Sequence, residues 1–262
     1  MDEFLADGPL RYHPAVNILL VERHELDPDG RARLVDRRAN HAHAVLHAQP
    51  GQTLEAGLVD GPLGTAVVEA CTADELTVRA SFDRPAPPAE HVLLLAVPRP
   101  KVLLRMLAHA AALGFRQIVL FRSWRVDKSH LDSTAMDPEI QREHLLLGLE
   151  QARRTRLPQV LTFPLFKPMV EDALPQLDLP AQRFVAHPRA ACGTDELALA
   201  RTAPFALALG PDGGFLPYEI ERFTAAGFLP IHCGPHPLRT ESALSVLTGQ
   251  LELLRRRGSL PQ

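Results

Sequence analysis

The sequence predicts an α/β chain in two parts: a small β-rich N-terminal unit, and a larger unit built on a parallel sheet covered on both faces. Three observations lead there. From residue 91 onward, near-continuous apolar strands alternate with helical segments, as strands buried on both sides do. Before residue 83, short strand-like runs are separated by glycine-containing turns. Between the two, DRPAPPAE (83–90) holds three prolines in eight residues, which suits a linker.

Residues 1–12 are expected to form an arm. Residues 13–82 carry strand-like runs at 16–22, 52–58, 65–70 and 75–81, a turn at DGPLG (60–64) and one helical segment at 37–48. Together they suggest a barrel or sandwich of roughly 70 residues. Within 91–262 the strands fall at 91–97, 116–121, 159–163, 182–187, 205–210 and 229–233. The stretch 128–137, with its Ser, Thr and Asp, reads as an irregular loop. A helix opens at Pro217, with Glu219 and Glu221 near its positive end and Gly227 as its stop. The last helix has Thr240 as N-cap and Glu241 in its first turn. It closes on Arg255, Arg256 and Arg257 before Gly258, which places cations at the negative end of the dipole.

Composition narrows the function classes. A chain of 262 residues that is 46% hydrophobic and 23% charged fits a soluble globular protein. No apolar run reaches the ~18 residues of a membrane span. The acidic start MDEFLADGPLRYHP lacks the features of a signal peptide, so a cytoplasmic location is expected. Cys71, Cys192 and Cys233 are far apart and show no CxxC spacing; neither a disulfide framework nor a bound metal is expected. Residues 1–90 hold 8 Lys+Arg against 15 Asp+Glu, a net −7, and residues 91–262 hold 20 against 16, a net +4. Such a balance argues against indiscriminate nucleic-acid binding and leaves room for a local basic surface.

The stretch LALGPDGGFLPYEI (207–220) sets three glycines between a strand and a helix. A nucleotide P-loop would need GxxxxGK[ST], and no Lys follows here. A dinucleotide fingerprint would need GxGxxG after an early strand, and GPDGGF has neither the spacing nor the place. The plain alternative is a tight strand-to-helix turn without a ligand. A second stretch, CGPHPLRTESA (233–243), likewise follows a strand, contains Gly-Pro and opens a helix. A third, EQARRTRLP (150–158), closes a helix, and HPRA stands at 187–190.

Together these stretches resemble the 16S rRNA uridine methyltransferases that act on ring nitrogen 3 of uracil. Members of that family look like GPEGG, LGPRxLRTETA and EQxxRxRxP at the matching places. The resemblance covers most of the chain, and the order of segments agrees. It implies a PUA-like RNA-binding domain over 13–82 and, over 91–262, a SPOUT methyltransferase domain whose chain forms a deep trefoil knot. It implies S-adenosylmethionine as cofactor, no metal, 16S rRNA or the small ribosomal subunit as partner, and a homodimer with the cofactor site near the subunit interface.

In such knots the cofactor is recognised largely through main-chain groups. Gly210, Gly213, Gly214 and Gly234 fit that role, since they carry no Cβ. Pro211 restricts the geometry of the first turn, and Asp212 and Thr240 complete the two turns. Leu209, Ile231, Cys233 and Leu238 would form apolar walls, with plain core packing as the alternative. Arg239 is the first candidate to stabilise the imide anion that forms as the uracil proton leaves. Glu241 could orient Arg239, assist proton removal or serve the helix terminus. Arg154 is a catalytic candidate through the match to EQxxRxRxP, and with Arg156 it could reach RNA or the partner subunit's site. Arg11, His43 and His47 complete the RNA-binding candidates.

The chain departs from the family at several of these places. Asp212 replaces Glu, and His47, His109 and His236 stand where permanent cations are usual. Histidines are mostly neutral at pH 7, so phosphate contacts are expected to be weaker or pH-dependent. Two other readings stand beside the first. One is a non-catalytic RNA-binding or ribosome-assembly protein on the same fold. The other is a SPOUT methyltransferase acting elsewhere, on a ribose hydroxyl or a tRNA base.

Overall fold

The structure, a computed structural model, describes residues 17–257. The arm expected at 1–12, Arg11 and Gly258 lie outside them. Strands β1 (Leu19–Val21), β2 (Arg31–Leu34), β3 (Thr53–Leu58), β4 (Leu63–Cys71) and β5 (Leu76–Arg84) form a five-stranded sheet in the order β1-β3-β4-β5-β2. β1 runs parallel to β3 and the other pairs are antiparallel. Strand β2 was not foreseen, because RARL carries two arginines in four residues. The pleat resolves this: Ala32 and Leu34 face the core while Arg31 and Arg33 face water.

Helix α1 (Arg37–Ala44) is capped by Asp36, whose carboxylate accepts the Arg38 N–H at 2.9 Å. It lays Ala39 and Ala42 on this core and ends earlier than the expected 48. His47 then takes a left-handed φ of 48°. Strand β5 continues to Arg84, two residues into the expected linker. The ladder stops where Pro85 removes the next backbone donor.

The second sheet holds β6 (His91–Ala96), β7 (Phe115–Phe121), β8 (Gln159–Phe163), β9 (Gln182–Ala186), β10 (Cys192–Gly193), β11 (Phe205–Leu209) and β12 (Leu229–His232). Its order is β10-β12-β9-β11-β6-β7-β8, and every pair is parallel. The six expected strands are present, and the two-residue β10 is an addition. All residues of β6 and β11 are buried, as the unbroken apolar runs imply.

The helices are α2 (Pro100–Leu113), α3 (Pro138–Ala152), α4 (Phe166–Pro168), α5 (Pro217–Ala225) and α6 (Thr240–Arg257). α2 and α3 approach closely at Gly148, where an added Cβ would stand 2.0 Å from the Ala108 carbonyl oxygen. Short 3-10 turns at Lys128–His130 and Thr134–Met136 occupy the expected irregular loop. Because the strands are parallel, their carboxyl ends share one edge, and the loops after β6, β7, β9, β11 and β12 emerge there.

The segment EQARRTRLP forms the seam between the two sheets. Arg37 forks onto the buried Glu150 carboxylate at 2.7 and 2.8 Å. The Thr155 hydroxyl donates to the Gly61 carbonyl at 2.6 Å, and the Asp60 N–H donates to the Thr155 carbonyl at 2.8 Å. Asp60 in turn accepts the Leu157 N–H at 2.9 Å.

A second tie joins β6 to the end of α6. The buried His91 ring stacks on Phe205 with centroids 3.8 Å apart. Its Nδ1 accepts the Phe205 N–H at 3.3 Å, which leaves Nε2 to donate to Glu252 at 2.6 Å. Burial pushes the His91 pKa down, outweighing the opposite pull of Glu252 and Glu90; Arg255 adds to the lowering. The unfolded ring therefore takes up its proton first as pH falls below ~6.5, and stability is lost with falling pH below that value. We expect the wild-type melting temperature to drop by a few degrees more than that of His91→Gln between about pH 7.5 and about pH 5.5. Equal drops in thermal melts would remove the assignment.

Candidate active site

Three loops at the carboxyl edge of the parallel sheet enclose a cavity of about 210 Å³. They follow β9, β11 and β12, and the start of α6 closes the fourth side. Every residue expected to hold a cofactor lines it. Leu209, Gly210, Pro211, Asp212, Gly213 and Gly214 come from the loop after β11; Ile231, Cys233, Gly234 and Leu238 come from β12 and the loop after it; Thr240 opens α6. A larger cavity, about 610 Å³, lies among α1, β3 and α3 and contains none of these residues.

The turn after β11 is fixed from below. Phe215 is buried against Phe121 and Phe223, with ring centroids 6.2 and 5.3 Å away. Gly214 takes φ +69° and Gly234 takes φ +139°, conformations that side chains with a Cβ rarely adopt. At both, an added Cβ would meet nothing within 4 Å, so the two glycines border open space.

Thr240 was expected as the N-cap of the last helix. It is instead the first helical residue, and its hydroxyl donates to the Gly210 carbonyl at 2.9 Å. That bond ties α6 to the glycine turn, so the hydroxyl is spent across the pocket rather than on the helix end.

His187, from the HPRA stretch, also lines the cavity. Its Nδ1 accepts the Arg189 N–H at 3.2 Å, and burial, then Arg189, hold its pKa below the ordinary value. It is therefore neutral at pH 7. His236 lies at the rim, and Asp212 is exposed with its carboxylate 4.0 Å from Arg99.

Arg239 lies between two lining residues, Leu238 and Thr240, and its side chain is exposed. Glu241 is engaged by a residue that the sequence did not point to. Arg105 on α2 donates to it at 2.8 Å, and this hydrogen bond, followed by the charges of Arg105, Arg239 and His109, holds its carboxyl below the usual range. A carboxylate so held is a weaker proton acceptor.

Arg154 and Arg156 are not brought to this cavity in the single chain. The Arg154 guanidinium donates to the Ala112 and Pro88 carbonyls at 2.9 and 2.8 Å and packs beneath Gly114. Arg156 donates to the Asp60 carbonyl at 2.6 Å. His43 and His47 are exposed on the first sheet's side of the molecule. Of the seven arginines at 17–90, the six at 31, 33, 37, 38, 79 and 84 pair with carboxylates. Little cationic surface is left there for phosphates.

Sequence reasoning also missed Glu219 and Arg125. The Glu219 carboxylate, 1% exposed, accepts the Trp124 N–H at 2.9 Å and the Leu216 N–H at 2.8 Å. Arg125 lines the cavity and donates to the Gly213 carbonyl. Only helix-start chemistry had marked Glu219, and nothing in the sequence marked Arg125. Among the described residues no cluster of His, Cys, Asp or Glu could hold a metal, and no helix is long and apolar enough to cross a membrane.

A family profile described as an RNA methyltransferase domain matches residues 85–252. The ribosomal RNA small subunit methyltransferase E of Treponema pallidum is 29% identical over 234 residues, spanning 87% of each chain. The protein of the same name from Mycobacterium bovis is 26% identical over 83% of this chain and 84% of its own. Among solved structures, a methyltransferase of Legionella pneumophila with bound SAM superposes with a TM-score of 0.71 at 21% identity, covering 92% of this chain and 98% of that one. The small subunit methyltransferase E of Neisseria gonorrhoeae, bound to S-adenosyl methionine, gives 0.71 at 20% identity over 91% and 98%.

Proposed function

The chain belongs to the RNA methyltransferase family, and on that premise we propose that it methylates nitrogen 3 of a uridine in the 16S RNA of the small ribosomal subunit, with S-adenosylmethionine as donor. The observation that carries this reading is the convergence of the two glycine turns and Thr240 on one cavity. The residues fit the cofactor. Gly214 and Gly234 border space that a Cβ would fill, and the buried Leu209 and Ile231 offer apolar walls. Bound S-adenosylmethionine would supply an electrophilic methyl group on a sulfonium centre.

The chain's own residues do the rest by placement and charge. Arg239 favours the anionic form of the uracil imide as its proton leaves. Arg105 and Glu241 steady Arg239 through a chain of alternating charges. Arg154 acts as a positioning residue at the seam, where its Nε and Nη1 donate to the Ala112 and Pro88 carbonyls. We assign the second unit the trefoil-knotted SPOUT fold and the first a PUA-like role. A homodimer is supported by Val246 and Leu253, exposed apolar residues two turns apart on α6.

Two measurements test the reading. Calorimetric titration with S-adenosylmethionine is expected to show one site per chain. Mass mapping of 16S rRNA from a deletion strain is expected to lack one methyl on a uracil base, restored by the wild-type gene. Absence of binding heat favours the non-catalytic RNA-binding reading, and loss of a ribose or tRNA methyl instead favours the other target class.

A further inference from the structure

The chain has one tryptophan, Trp124, and it is 81% exposed. An indole left in water gives up the large stabilisation that its burial would bring. Its loop is nevertheless held tightly. Ser123 and Val126 on either side are buried, and the Val126 N–H donates to the Ser123 carbonyl at 3.1 Å. Trp124's own N–H is taken by the buried Glu219 carboxylate at 2.9 Å. Arg125, the next residue, donates to the Gly213 carbonyl in the cavity wall. A fixed backbone thus displays an aromatic ring at the same sheet edge as the cavity.

The surrounding charge selects the occupant. Arg99 and Arg125 are exposed on that edge, and the nearby Glu219 carboxylate is consumed by backbone donors. An exposed aromatic ring and two exposed guanidinium groups on one sheet edge suit a base whose phosphates lie beside it. We propose that Trp124 is a stacking platform for an unpaired nucleobase of the RNA substrate adjoining the target uridine, with Arg99 and Arg125 on its flanking phosphates. This rests on the methyltransferase reading above.

Because Trp124 is the chain's only tryptophan, tryptophan fluorescence reports the surroundings of this ring. Titration of the full chain with an oligouridylate of about ten nucleotides is expected to quench it, with the quench shifting to higher RNA concentration as salt rises. Trp124→Ala is expected to raise KM for 16S rRNA roughly ten-fold, with kcat changed less than about three-fold, and Trp124→Phe to recover most of the loss. S-adenosylmethionine affinity measured by calorimetry stays unchanged in both variants. Unaltered fluorescence with RNA shown by anisotropy to be bound overturns the proposal. So does a fluorescence change that follows protein concentration without RNA, which would assign the ring to a second copy of the chain. If methyl transfer itself is absent, the quench still reads the platform, so the two failures are separable.

Discussion

Arg239→Ala will lower methyl transfer on the order of 100-fold while leaving S-adenosylmethionine affinity nearly intact, as expected for a charge that acts on the developing anion. The cavity is walled by Leu238 and Thr240 on either side of this residue, and the exposed Arg239 side chain is not itself part of the lining. Truncating it removes no wall. A lysine at the same position keeps the charge without the fork and should recover part of the rate. The split between rate and binding is the diagnostic, read by single-turnover assay and calorimetry. Equal loss of both would make Arg239 a structural part of the pocket.

Glu219→Ala will destabilise the fold by about 2–4 kcal/mol, because two part-buried backbone donors lose the buried carboxylate that serves both. In a thermal melt this is a fall of roughly 5–10 °C. This carboxylate pins Trp124 and Leu216, the neighbours of the lining residues Arg125 and Phe215, so cofactor affinity should fall with stability. Glu219→Gln can satisfy only one of the two donors through its single carbonyl oxygen and should sit between the two. A glutamine variant that melts with wild type would mean that one of these hydrogen bonds contributes nothing.

Local patterning revealed most of the architecture. Strands β6, β7 and β11 were legible because burial on both faces makes them continuously apolar, β8, β9 and β12 showed shorter apolar runs although they are only partly buried, and Pro217 and Gly227 marked the ends of α5. Strand β2 escaped because its alternation spans only four residues. The two glycine turns stood out locally, but glycine and proline alone fit a ligand-free turn as well, and that both turns serve one pocket came from the resemblance to the uridine methyltransferases. The partners of the charged residues were hidden. Arg105 meets Glu241 across 136 positions and Arg37 meets Glu150 across 113, and no local signal encodes a pairing at that distance. The same blindness applied to EQARRTRLP. Arg154 and Arg156 suggested a reach toward RNA, and in the single chain both donate to carbonyl groups.

The bond from Thr240 to the Gly210 carbonyl has a consequence for biosynthesis. Apart from Arg125, the lining of the cavity comes from residues between Ala186 and Leu247, and the last of them sits on α6. On the ribosome, the first sheet and the early strands of the second can form while α6 is still inside the exit tunnel. The glycine turn must then wait for its lock. Without α6 the cavity lacks its fourth side and the core lacks Leu244, Leu247 and Leu251, so the binding site is completed only once the helix that opens at Thr240 has docked.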